Sequence, residues 1–99
     1  MILYKMEYKI TPKIRANAKK LGVTVKPSKS KNKKLDVFDK QGKKLHSIGD
    51  IRYKDFHLYT KEKGKEFAEK RRKLYKIRHA KTRFKVGSAS YFSDKILWD

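Results

Sequence analysis

The chain has no cysteine, which excludes disulfide staples, thiolate metal centres and thiol nucleophiles, and leaves the redox compartment open. Two prolines and five glycines in 99 residues are too few for a flexible linker or a low-complexity arm, so no second domain is expected. No window approaches the roughly 18 consecutive apolar residues of a membrane span, and the early Glu7 and alternating lysines match no targeting segment, so the chain reads as soluble and unprocessed. Acids are few beside the bases. Ten Asp and Glu face 29 Lys and Arg, a formal net charge of +19, a density at which a small domain repels itself unless a polyanion or an acidic partner is near.

What is present must build a modest core. Hydrophobic residues make up 37% of the chain against 39% charged, with six Tyr, five Phe and one Trp among them. Charge is uneven along it. Residues 1–34 hold eleven bases and one acid, residues 35–66 eight bases and six acids, and residues 67–99 ten bases and three acids. The near-neutral middle reads as the folding nucleus and the flanks as the electrostatic surface.

Alternation of Ile2, Tyr4, Met6, Tyr8 and Ile10 with Lys5, Glu7 and Lys9 predicts a half-buried strand. Thr11 as a cap, Pro12 in the first turn and Gly22 as a stop frame a helix over Pro12 to Leu21, with Ile14, Ala18 and Leu21 as its apolar stripe. Val23 to Val25 is a short strand that Pro27 ends or confines to a sheet edge. Ser28 to Lys34 has no apolar residue and reads as a solvated loop or anion-binding arm. Leu35 to Asp39 and Lys44 to Ile48, joined around Gly42, make the strongest hairpin signal.

Tyr53, Phe56 and Tyr59 recur at helical spacing, Gly64 breaks that turn, and residues 65–81 form the longest helix candidate. On its wheel Phe67, Ala68, Leu74 and Tyr75 share a sector opposite Glu69, Lys73 and Lys76. Arg71 and Arg78 fall inside the apolar sector. Residues 87–90 cap a short C-terminal helix over Tyr91 to Trp98. The fold expected is one α+β domain over 1–99: a small antiparallel sheet of three or four strands packed by one long basic helix and a short C-terminal helix.

Lys70, Arg72, Lys73, Lys76, Lys81, Arg83 and Lys85 form a row able to follow a phosphate backbone. A solvated helix face is the ordinary explanation of such a run. Here too few acids exist to neutralise it from within, so contact with nucleic acid is the expectation, without sequence readout. Lys29, Lys31, Lys33 and Lys34 are an auxiliary arm, or else a solubilising loop. Arg71 and Arg78 are costly to bury alone and are assigned ion pairs with Asp50 and Asp55 in preference to direct phosphate contact.

Enzyme signatures are weak. Asp36, Asp39 and Lys40 are similar in type to the acid, acid and lysine of some nucleases, yet three positions along a strand put the two acids on opposite faces. His46, His57 and His79 lack metal-ligand spacing, and neither a nucleophile elbow nor a phosphate-binding glycine loop occurs. Tyr53, Phe56 and Tyr59 are read as packing rather than base stacking. No cofactor, metal or small-molecule substrate is expected.

The segments SIGDIRYKDF, GKEFAEKRRKLYKIRHAK and VGSASYFSDKILW are similar to those of a family of small basic proteins of uncharacterised function from large double-stranded DNA viruses and some phages. The resemblance covers residues 33–98 and rests on Gly49-Asp50, Tyr53 with Asp55, Arg71-Arg72, Leu74-Tyr75, Arg78-His79 and the Ile96-Leu97-Trp98 ending. Family members often carry Gly or Pro-Gly near Ala89-Ser90, where this chain departs. The resemblance implies a viral source, location in the virion or infected host cell, and a genome-associated or virion role; it supplies no catalytic residue. The function expected is therefore non-enzymatic, sequence-independent nucleic-acid binding, aiding genome condensation or packaging. The alternative is a minor capsid or cement protein whose lysines meet acidic capsid subunits and whose first strand extends a neighbour's sheet.

Overall fold

A computed structural model describes residues 8–99. Its first helix, α1 (Pro12–Lys20), starts where the sequence supplies a cap: Thr11 Oγ1 accepts from Ile14 N–H at 3.2 Å, and Pro12 occupies the first turn. It ends at Leu21, and Gly22 turns the chain at φ +74° into β1 (Thr24–Pro27). Pro27 sits at the end of an edge strand, where its missing N–H costs no ladder bond. Next come β2 (Lys33–Phe38) and β3 (Lys44–Asp50). Their turn is held by Asp39 Oδ1, which accepts from the N–H groups of Gln41 and Lys43, both at 2.9 Å.

The sheet is antiparallel in the order β1-β2-β3, with Val25 opposite Val37 and Leu35 opposite Ile48. After Asp50 the chain forms α2 (Phe56–Lys63), α3 (Lys65–Arg78) and α4 (Ala89–Leu97). The α+β class, the three-stranded sheet, the long basic helix and the C-terminal helix are thus all present. Residues 2–7 of the expected first strand lie outside the described residues; Tyr8 to Ile10 are not in a strand.

Helices α1 and α4 supply the cover of the sheet. Ile14 and Ala18 from α1 and Phe92, Ile96 and Leu97 from α4 close on Val25, Leu35, Val37 and Ile48, all buried. Each fully buried large aliphatic or aromatic side chain contributes about 1.5–3 kcal/mol, and this cluster is the core. Asn17 Nδ2 donates to Ile96 O at 3.2 Å, tying α1 to the end of α4. Gly49, at φ +76°, lies against the same end: a Cβ there would stand 2.7 Å from Leu97 Cδ1 and 3.0 Å from Lys34 Cδ.

Helices α2 and α3 pack on each other as a hairpin around Gly64, which at φ +91° adopts a conformation that L side chains rarely take. Tyr59 meets Phe67 with ring centroids 5.6 Å apart, and the Arg72 guanidinium lies 4.1 Å from the Phe56 centroid. Helix α3 stops at Arg78, three residues short of the expected Lys81, because His79 leaves helical geometry and residues 79–88 form successive turns. Its expected apolar stripe is mostly uncovered. Ala68 is buried, but Phe67 and Leu74 are exposed, since the hairpin meets the remainder of the molecule chiefly through individual side chains. Asp55 joins Lys34, His57 Nε2–H donates to Ile96 O at 3.2 Å, and Tyr75 stacks on Trp98 with centroids 4.4 Å apart and planes 10° from parallel.

Candidate nucleic-acid interface

Positions 69, 70, 72, 73, 76, 77 and 80 share one side of a helix by their three- and four-residue spacing. The structure accordingly brings Lys70, Arg72, Lys73 and Lys76 together with Arg83 along an open groove on α3 and the turn after it. Lys70 and Lys73 are exposed there, and Lys81 and Lys85 are exposed on the turns that follow. The other three are engaged internally. Arg72 pairs with Glu69, while Lys76 and Arg83 turn toward Asp94.

Asp94 decides that division. It is fully buried on α4, with Lys76 Nζ at 3.3 Å, Arg83 Nη1 at 3.5 Å and Lys95 Nζ at 3.9 Å. A carboxylate removed from water needs such compensation, and meeting it fixes α3 and the 79–88 turns against α4. The sequence reading missed Asp94. The signal was an acid between Phe92 and Ile96, two positions that bury, in a chain with hardly any acids to spend on its surface.

The auxiliary arm divides too. Lys29, Lys31 and Lys33 are exposed, but Lys34 is only 3% exposed, its Nζ 3.0 Å from Asp55 Oδ2. Lys33 and Lys34 belong to β2 rather than to the preceding loop, and the strand is covered on both faces from Lys34 to Val37. Lys34 is not a surface contact residue. The loop itself is anchored by Asp36, which accepts from Ser28 Oγ at 2.6 Å, Ser47 Oγ at 2.7 Å and Lys29 N–H at 3.2 Å, with Lys44 Nζ 3.5 Å away. Burial pushes the Asp36 carboxyl up, and the two hydroxyls, the N–H and the ammonium together outweigh it, so its pKa lies below the ordinary value. Asp39 is occupied in the hairpin turn, so the two acids of LDVFDK hold separate pieces of backbone.

The expected ion pairs of Arg71 and Arg78 with Asp50 and Asp55 are replaced by others. Asp50 takes Arg52, two residues on, at 2.7 Å, and this contact holds its carboxyl at about 2. Asp55 takes Lys34 and the Tyr8 hydroxyl and also caps α2, accepting from Leu58 N–H at 3.0 Å. Burial, with Asp55 beside it, pushes the Tyr8 hydroxyl well above the usual tyrosine range. Partners nearer in the fold forestall the arginines. Neither Arg71 nor Arg78 has a carboxylate within 4.0 Å among the described residues, and Arg71 instead lies 5.4 Å from the Tyr59 centroid. Both line a crevice of about 420 Å³ between the α2–α3 hairpin and the sheet, together with Tyr53, Tyr59, Tyr75 and Trp98.

The histidines are dispersed. His46 Nε2–H donates to Gly87 O at 2.7 Å, His57 serves Ile96, and His79 packs on Tyr75. Burial pulls the pKa of His57 and His79 below the ordinary value. No group of three or more His, Asp or Glu placed to hold a metal occurs among the described residues, and no helix among them is long and apolar enough to cross a membrane. Comparison with family models, curated proteins and solved structures finds no match to this chain.

Proposed function

We propose that this is a non-enzymatic protein that binds nucleic acid through its phosphates, without reading sequence, and that it serves a large DNA virus or phage in genome condensation or packaging. The observation that carries the reading is the cation surplus left after internal pairing. Among the described residues the ion pairs engage Lys34, Lys44, Arg52, Lys54, Arg72, Lys76, Arg83 and Lys95, while the chain holds 29 Lys and Arg. Lys70 and Lys73 on the groove, Lys81 and Lys85 on the turns, and Lys29, Lys31 and Lys33 before the sheet stand exposed on fixed scaffolding. Such cations gain from a polyanion by releasing its counterions. The viral setting comes from the sequence resemblance.

The test is duplex DNA binding by fluorescence anisotropy between about 50 and 200 mM salt, where each phosphate neutralised adds about 0.9 to the logarithmic slope. A slope of several units, the same for unrelated sequences, is expected. Absent or salt-insensitive binding overturns the proposal and leaves the capsid or cement reading, in which the lysines meet acidic protein surfaces.

A further inference from the structure

We infer that the crevice between the α2–α3 hairpin and the sheet is a binding site for a single unstacked nucleotide, its phosphate held by Arg71 and Arg78 and its base set among aromatic rings. This deepens the nucleic-acid reading and rests on it for the source of the nucleotide, but it uses a different surface from the α3 groove.

Size is the first argument. A cavity of about 420 Å³ falls within the range of small-ligand sites, roughly 300–1,000 Å³. Charge is the second. The two carboxylates on the wall, Asp50 and Asp55, are already matched by Arg52 and Lys34, so they do not oppose an incoming anion. Arg71 and Arg78 line the crevice with no carboxylate within 4.0 Å among the described residues. The planar guanidinium fork suits two oxygens of one phosphate.

The aromatic lining favours a nucleotide over bare phosphate. Tyr53, Tyr59, Tyr75 and Trp98 all face the same space. Tyr75 and Trp98 are stacked on each other, Tyr59 stands 6.3 Å from Trp98, and Tyr53 at the rim is 67% exposed. A protein short of apolar residues has left an aromatic side chain on open surface beside cations, and aromatic rings stack on a base of any identity. The hydroxyls of Ser90 and Ser93 lie on the wall as well and offer hydrogen bonds to a sugar.

Trp98 is the only tryptophan, so its emission reports the crevice without a label. The intact protein is titrated separately with adenosine monophosphate, adenosine, inorganic phosphate, a single-stranded oligonucleotide and a blunt duplex. Saturable quenching is expected from the monophosphate, the single strand or both; a response to the strand alone assigns the site to an unstacked nucleotide within a chain, and a response to the monophosphate alone to the free molecule. Adenosine and phosphate should each bind at least about tenfold more weakly, the loss of one charged hydrogen bond or of the base contact. Arg78→Ala, at an exposed position, and Arg71→Gln should weaken nucleotide quenching about tenfold while duplex anisotropy is unchanged. No saturable change with either nucleotide probe, phosphate binding as well as the monophosphate, or full quenching in Arg78→Ala overturns the site. Loss of duplex binding with quenching retained would instead retire the genome-handling proposal and leave the crevice standing.

Discussion

Lys34 Nζ lies 3.0 Å from Asp55 Oδ2, with both side chains almost fully withdrawn from solvent, and this pair connects the second strand to the cap of α2. Asp55 therefore does three things at once: it neutralises a buried ammonium, receives the Tyr8 hydroxyl and starts a helix. Removing one member of such a pair strands the other's charge, which costs far more than the pair itself contributes.

Lys34→Met is accordingly expected to destabilise the fold by about 3–5 kcal/mol, read from urea denaturation. Adding Asp55→Asn should recover part of that loss, because asparagine still caps α2 and carries no charge. Duplex affinity, measured where both proteins remain folded, should fall no more than for removal of one distant positive charge. A stable Lys34→Met protein with sharply weakened DNA binding would return Lys34 to the contact surface.

Lys73 and Lys76 are three residues apart on the same groove and should behave differently. Lys73→Ala is expected to leave stability within about 0.5 kcal/mol and to lower the salt slope of duplex binding by about 0.9. Lys76→Ala takes one of three cations from buried Asp94 and should cost about 1–3 kcal/mol, with Asp94→Asn costing more. Thermal melts and salt titrations of the two variants decide it; equal stability would show that the Asp94 cluster does not hold the helix.

Acid should weaken the fold in two stages. His57 and His79 have folded pKa values pulled below the unfolded value of about 6.5 by burial, so stability is full above that pH and declines as pH falls and the unfolded chain takes up protons first. Asp36 titrates in the folded state below the unfolded value of about 3.9, despite the opposing effect of burial, because Ser28, Ser47, Lys29 and Lys44 favour its charged form. Its contribution is present above about pH 3.9 and is lost as pH falls through the lower folded value. Denaturant midpoints from pH 7 downward should show both declines, with His57→Gln reducing the upper and Asp36→Asn the lower. A midpoint flat from neutral pH to the carboxylate range would remove the histidine contribution.

Local signals made much of the fold legible. Thr11-Pro12 and Ser88 cap the helices they announced, Gly64 separates α2 from α3, and the hairpin around Gly42 forms with its strands extended by two residues at the open end. Pairing across the fold was not legible. Composition shows that cations outnumber acids, but which cation an acid receives depends on tertiary approach: Arg52 reaches Asp50 first, β2 delivers Lys34 to Asp55, and α4 carries Asp94 beneath Lys76 and Arg83. The two arginines assigned to a buried framework were left over for that reason, and they line an opening instead.

Gly49 gives that opening a mechanical side. The end of β3, the stem of Lys34 and the tip of Leu97 converge on a gap too small for a single methyl group, and the same glycine borders the crevice. A side chain there would have to push aside the tip of Leu97 and the stem of Lys34 while holding a left-handed backbone that L residues rarely adopt. The two side chains it would displace both line the crevice, so the bare backbone at this spot leaves that wall undisturbed.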